Sequence, residues 1–206
     1  MLRLIAVVSL VAIFPLPARA QVRMSATDSS LARSILGELI GIRSVSGTRE
    51  TVDDANAIVR RLRAAGFSEQ DAFVAGNPDS IGNVVVRLRG RGTGRPILLM
   101  AHLDVVPALR EDWTTDPFVM TEKDGWWYGR GTIDNKEGVT TIVANMIRWK
   151  RDKFIPGRDI VGVMTGDEET LSDQIEWFAS GEGKRHIGNP DVALPFPAGE
   201  PLDLIG

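Results

Sequence analysis

Pro96-Ile97-Leu98-Leu99-Met100-Ala101-His102-Leu103-Asp104 is the stretch from which the fold can be read. A short apolar run bounded by proline suits a strand buried on both faces, and polar residues follow it at once. On either side lie similar runs. Ile81 to Leu88 carries Val84-Val85-Val86, and Ile160 to Met164 is as apolar. Between the second and third runs, Gly138 to Trp149 places Val139, Ile142, Val143 and Met146 on one helical face. Nearer the N-terminus, Leu31, Ile35, Leu39 and Ile40 have helical spacing behind the cap-like Asp28 and Ser29. Glu50 to Ala65 reads as a second helix. Its buried stripe is Val52, Ala55, Ile58, Val59 and Leu62, and Gly66 stops it. Leu171 to Phe178 reads as another helix, with Ser172 and Asp173 helping to start it. Helices alternating with apolar strands predict an α/β fold, a three-layer sandwich around a mostly parallel central sheet.

Such sheets collect their functional groups just beyond the carboxyl ends of the strands. His102 and Asp104 follow the first quoted run, two residues apart, and in extended chain both point to one side. A carboxylate there can hold the imidazole tautomer that leaves the other nitrogen free for a metal, or the pair can be a plain structural hydrogen bond. Tyr128-Gly129-Arg130-Gly131-Thr132-Ile133-Asp134-Asn135-Lys136-Glu137-Gly138 puts Asp134 at a tight turn before a helix. It is a ligand there or merely a helix cap. Thr165-Gly166-Asp167-Glu168-Glu169 sets three acids after a buried strand. They form a solvated, helix-starting turn, or one glutamate binds a metal while its neighbour handles a proton. Ordinary structural roles account for each cluster alone. They do not account for all three following strands.

Composition narrows the chemistry. The chain has 206 residues, a formal charge of −3 and no cysteine. Disulfides, thiolate zinc sites and cysteine nucleophiles are excluded together. With only His102 and His186, a three-histidine zinc site is excluded as well. No basic stripe points to nucleic acid. Arg3, the apolar run Leu4 to Leu16 and Ala18-Arg19-Ala20 read as an export signal over residues 1–20, with Gln21 as the first mature residue. The run is short for a membrane span, so no stable anchor is expected and the protein is expected to be periplasmic or extracellular.

Three segments carry a family resemblance: Ala101-His102-Leu103-Asp104-Val105-Val106-Pro107, Gly129-Arg130-Gly131-Thr132-Ile133-Asp134-Asn135-Lys136 and Thr165-Gly166-Asp167-Glu168-Glu169. With them the chain, from about Ser30 to Phe178, resembles the two-zinc metallopeptidases. That family includes glutamate carboxypeptidase, the aminoacylases, dipeptidases and succinyl-diaminopimelate desuccinylase. The resemblance implies a zinc-exopeptidase-like fold and two Zn2+, with Co2+ or Mn2+ as substitutes. It implies His102 on one metal, Glu169 on the other and Asp134 bridging them. It makes Glu168 the general base and Asp104 the group that orients His102. It implies a cis peptide at Asp134-Asn135 and a substrate that is a peptide or an N-acyl amino acid. Trp126, Trp127 and Tyr128 are expected to pack beneath the site, and Glu168 to be partly desolvated.

The resemblance stops short at the C-terminal side. Each metal in the family takes one further ligand. The first is expected after Ala193-Leu194, near Pro197, where Asp191 and Glu200 are out of register. The second is a histidine in a later segment, and His186 reads as a surface residue. Residues 21–194 are thus read as the N-terminal part of a catalytic domain, and 195–206 as an aberrant tail from a frameshift or premature stop. The dimerisation and lid domain, through which full-length relatives form homodimers, is absent from this reading. The expected fold is accordingly incomplete, and its sheet has an exposed edge. Three functions remain open: a metal-dependent amide hydrolase, a truncated or decayed relative without a competent site, and an exported protein holding one structural cation.

Overall fold

The computed structural model describes residues 24–76, 81–92, 94–180 and 182–196. The export-signal reading and residues 197–206, with Pro197 and Glu200, lie outside the described residues. The elements in chain order are helices α1 (Ala26–Gly41) and α2 (Glu50–Ala64), strands β1 (Ala72–Ala75), β2 (Asn83–Leu88), β3 (Ile97–His102), β4 (Thr121–Lys123) and β5 (Trp126–Tyr128), helix α3 (Lys136–Arg151), strand β6 (Ile160–Thr165), helices α4 (Asp173–Ser180) and α5 (Lys184–Ile187), and strand β7 (Val192–Pro195).

The five-stranded sheet has the order β1-β2-β6-β3-β7. β3 pairs in parallel with β6 and β7, while β2 is antiparallel to both β1 and β6. Four strands therefore point one way and β2 alone runs against them, which is the mostly parallel sheet that the apolar runs predict. Alternation within each strand divides the core. Val84 and Val86 of β2, with Ala101 and Met164, join Ile35, Leu39, Ile58, Leu62, Val139, Ile142 and Met146 of α1, α2 and α3. Val85, Leu98, Val161 and Val163 face the other way and join Phe178 of α4 and Ile187 of α5. The sheet is thus the middle of three layers. Its β7 edge strand is exposed along all four residues.

Close packing of α3 on β6 depends on Gly162. A Cβ at that position would lie 2.8 Å from Ile142 Cγ2 and 2.9 Å from Val86 Cγ1. Gly162→Ala is therefore expected to cost about 1–3 kcal/mol through overpacking, read as a lower urea midpoint at unchanged slope. An unchanged midpoint would show that the layer can part without cost.

Four local expectations need correction. Helix α1 starts three residues early, because the Ser25 hydroxyl accepts the Asp28 N–H at 3.1 Å and makes Ser25 the cap. Asp28 instead sits in the first turn and pairs with Arg151 at 2.9 Å. Helix α2 ends one residue short of Ala65, with Gly66 at φ +96° turning the chain away. Helix α4 starts at Asp173, since Ser172 has φ +57° and leaves Leu171 in the preceding turn. The aromatic segment does not lie beneath the site. It forms a two-stranded hairpin with β4, closed by Asp124 and Gly125 at φ 55° and 81°, and leaves Trp126 71% exposed. Positive φ at both central residues is the type I′ turn that Asp-Gly favours, so the sequence carried the signal for this hairpin.

Candidate metal centre

Topology gathers the polar clusters. His102 ends β3 opposite Thr165, which ends β6, and the Leu103 N–H donates to the Thr165 carbonyl at 2.6 Å. α3 is the crossover between these two parallel strands. It runs back over the sheet from its start at Lys136, so the turn before it also lies at the carboxyl edge.

His102 is 6% exposed. Its Nδ1 lies 3.0 Å from the Asp104 carbonyl oxygen, which leaves Nε2 facing outward into the acids. Nε2 is 2.9 Å from Asp134 Oδ1 and 3.7 Å from Glu168 Oε2. Ligand atoms of His102, Asp134 and Glu169 all lie within 4.8 Å of one another. These are the residues the sequence singles out for metal binding, and they come together from three separate segments.

The turn that carries Asp134 needs its glycine. Gly131 has φ +87°, and a Cβ there would lie 2.9 Å from Val105 Cγ1. The Asp134-Asn135 peptide is cis, as the resemblance implies. Asn135 is the N-cap residue of α3 and makes no side-chain cap bond. The carboxylate of Asp134 therefore is not spent on capping.

Asp104 does more than the sequence suggests and does it differently. β3 ends at His102, so the extended alternation does not continue to Asp104. Its Oδ1 stands 3.5 Å from Nδ1, farther than its own carbonyl oxygen. The carboxylate instead accepts the Glu168 N–H at 3.1 Å and the Glu169 N–H at 2.9 Å. One buried residue thus holds the imidazole through its backbone and the glutamate pair through its side chain. Burial works against its charge, but the His102 imidazole beside it and the Glu169 N–H still keep the carboxyl below its ordinary value. Asp104→Asn is expected to weaken zinc binding by about 10–100-fold. A zinc titration with affinity within twofold of wild type would remove Asp104 from this role.

The third acid of the cluster has an ordinary task. Asp167 is buried and accepts the Gln174 N–H at 3.2 Å, so it organises the start of α4. The expected desolvation falls on Glu169 and not on Glu168. Burial, followed by the charge of Asp134, raises the Glu169 carboxyl, while the Glu168 side chain is 45% exposed. Burial also opposes charge on His102, yet its hydrogen bonds to Asp104 and the charges of Asp104 and Glu168 raise it to about 9. The protein thus sets one imidazole among a surplus of carboxylates. Such a set favours a divalent cation, and its nitrogen and oxygen donors without sulfur fit zinc, cobalt or manganese.

Two other polar residues stay away. Asp191 pairs with Arg158 at 2.8 Å just before β7, at the end of the strand away from His102. His186 is half-buried, away from the cluster. Its ring lies 5.1 Å from that of Phe73 and 5.9 Å from that of Trp177, on the layer of α4 and α5. Burial lowers its pKa.

Residues 98–201 match the sequence model of Peptidase family M20/M25/M40. The chain belongs to this family. The matched span includes His102, Asp104, Asp134, Glu168 and Glu169, so membership covers every element of the cluster. A succinyl-diaminopimelate desuccinylase of Bordetella petrii is 35% identical over 186 residues, which are 87% of this chain and 45% of that protein. An acetylornithine deacetylase of Photorhabdus laumondii is 33% identical over 171 residues, 81% of this chain and 42% of that protein. Human carnosine dipeptidase 1 superposes with a TM-score of 0.67 at 26% identity, over 82% of this chain and 38% of its own. The chain spans less than half the length of each of these proteins.

Proposed function

We propose that the protein hydrolyses an amide bond, in a peptide or an N-acyl amino acid, with divalent metal held by His102, Asp134 and Glu169 and with zinc as the resident ion. The observation that carries this reading is the convergence of those three donors with Glu168 beside them. The reading also draws on the relatives, whose names are desuccinylase, deacetylase and dipeptidase. Asp134, lying nearest His102 and 41% exposed, is the residue suited to be shared between two ions.

When bound, the metal polarises the scissile carbonyl and makes water more acidic. The chain's own groups do the rest. Glu168, with its side chain 45% exposed, takes the proton of the attacking water and returns it to the leaving nitrogen. Asp104 fixes the backbone of Glu168, and so fixes where its carboxylate can reach. The convergence of His102, Asp134 and Glu169 weighs against the alternative of a decayed relative.

The test uses the full chain purified with added zinc. Metal counting is expected to find bound zinc, and dipeptides or N-acyl amino acids are expected to be cleaved in a chelator-sensitive way. A folded chain that takes up no metal would overturn the reading. We further propose that residues 1–20 direct export. N-terminal sequencing of the secreted product is expected to begin at Gln21, and an unprocessed Met1 in the periplasm or medium would refute this. Among the described residues no helix is long and apolar enough to cross a membrane.

A further inference from the structure

Beneath the cluster lies a polar network that its chemistry does not use. Lys136, immediately after the Asp134-Asn135 turn, is 1% exposed. Its ammonium lies 3.0 Å from Asp54 Oδ2 of α2 and donates to the Ile42 carbonyl at 2.8 Å and to the Leu39 carbonyl. Asp54, also 1% exposed, stands 2.8 Å from the hydroxyl of Ser44, which is fully buried. That hydroxyl stands 2.8 Å from the Leu103 carbonyl, between His102 and Asp104. The Ser44 carbonyl in turn accepts the Val105 N–H at 2.9 Å. A continuous buried chain, Lys136 to Asp54 to Ser44 to Leu103, therefore joins the segment bearing Asp134 to the segment bearing His102.

A buried ion pair is a poor source of stability, because desolvation offsets its attraction and apolar residues of similar size often do as well. What such a pair supplies is directionality: its contacts are met in one arrangement, here at Asp54 Oδ2, while Asp54 Oδ1 has no partner among the described residues. Here that arrangement spans the two segments whose side chains meet at 2.9 Å. We propose that Lys136, Asp54 and Ser44 are positioning residues that lock the Asp134 turn against the end of β3 and thereby set the metal affinity of the centre. The inference rests on the reading of the cluster as a metal site, and goes beyond it by assigning residues that touch no metal.

The experiment compares wild type with Asp54→Leu/Lys136→Met, which removes both charges together, and with Ser44→Ala, which removes the hydroxyl between Asp54 and the Leu103 carbonyl and leaves the ion pair in place. Two measurements are made on the full chain. In the metal-free protein, amide hydrogen exchange at Leu103 and Val105 is expected to accelerate at least about tenfold in the double variant, although neither substituted side chain touches them. Exchange at Val161 and Val163, in the same sheet, is expected to stay as in wild type. In zinc titrations both variants are expected to bind about 10–100-fold more weakly. Unchanged exchange at Leu103 and Val105 would overturn the proposal. So would a uniform rise over the whole sheet, which marks simple destabilisation, or wild-type zinc affinity in a folded double variant. Should the double variant not fold, Ser44→Ala decides by the same two measurements. A wild-type chain that takes up no zinc overturns the metal reading, and with it the link to affinity, while the exchange measurement separately decides whether the lock exists.

Discussion

Glu168→Gln is expected to leave bound zinc at the wild-type level and to lower kcat for a dipeptide or N-acyl amino acid by about 10²–10⁴-fold. Glutamine keeps the volume of Glu168 and its backbone hydrogen bond to Asp104 at 3.1 Å. It cannot accept a proton. The metal donors His102, Asp134 and Glu169 are untouched, so metal content separates this variant from a loss of the site. KM is expected to change little, because the lost step is proton transfer and not binding. Activity within about threefold of wild type, with metal in place, would remove Glu168 as the general base.

The second large effect falls on stability. Lys136→Met alone is expected to cost about 3–5 kcal/mol, because it leaves the Asp54 carboxylate buried without its counter-charge. Adding Asp54→Leu is expected to recover much of that loss, since no charge then remains inside. The pH dependence has a definite sign. Burial, opposed by Lys136, pushes the Asp54 carboxyl up from its ordinary 3.8 to about 6. A group whose value is raised in the folded state binds its proton more tightly there. Its contribution is fully present below the unfolded value and is lost as pH rises through the folded one. Without Lys136 the opposing charge is gone and Asp54 moves higher still. The deficit of Lys136→Met is therefore expected to be largest near pH 8 and to shrink towards pH 5. Urea melts at these two values check it. A deficit that grows on acidification would show that Asp54 is not the group responsible.

Much of the fold was legible because its signals are local. The runs ending at Ala101 and Met164 are apolar on both faces, and the stripe from Val139 to Met146 repeats at helical spacing. These patterns report directly on burial. Errors arose where two local signals compete. Ser25 and Asp28 are both good caps, and which one caps depends on where α1 meets Arg151 of α3. Ser172 adopts φ +57° where its N–H donates to the Asp167 carbonyl at 3.0 Å. The aromatic hairpin was missed despite Asp124-Gly125, because aromatic residues beside a functional motif invite a core assignment.

By itself the sequence determined the fold class, the family motifs and the residue types of the centre. It excluded thiolate chemistry outright, and it placed His102, Asp134 and the Glu168-Glu169 pair just beyond their strands and at a helix start. Only the tertiary structure decided how those residues are held. Whether Asp104 orients His102 by carboxylate or by carbonyl depends on where β3 ends. Whether a conspicuous acid is a ligand or a cap depends on which N–H groups reach it, and that separated Asp167 from its neighbours. Lys136 and Asp54 meet in the interior. Their pairing spans 82 positions, from 54 to 136. No local pattern encodes such a contact, because it arises only when α2 and the turn before α3 close on the same core.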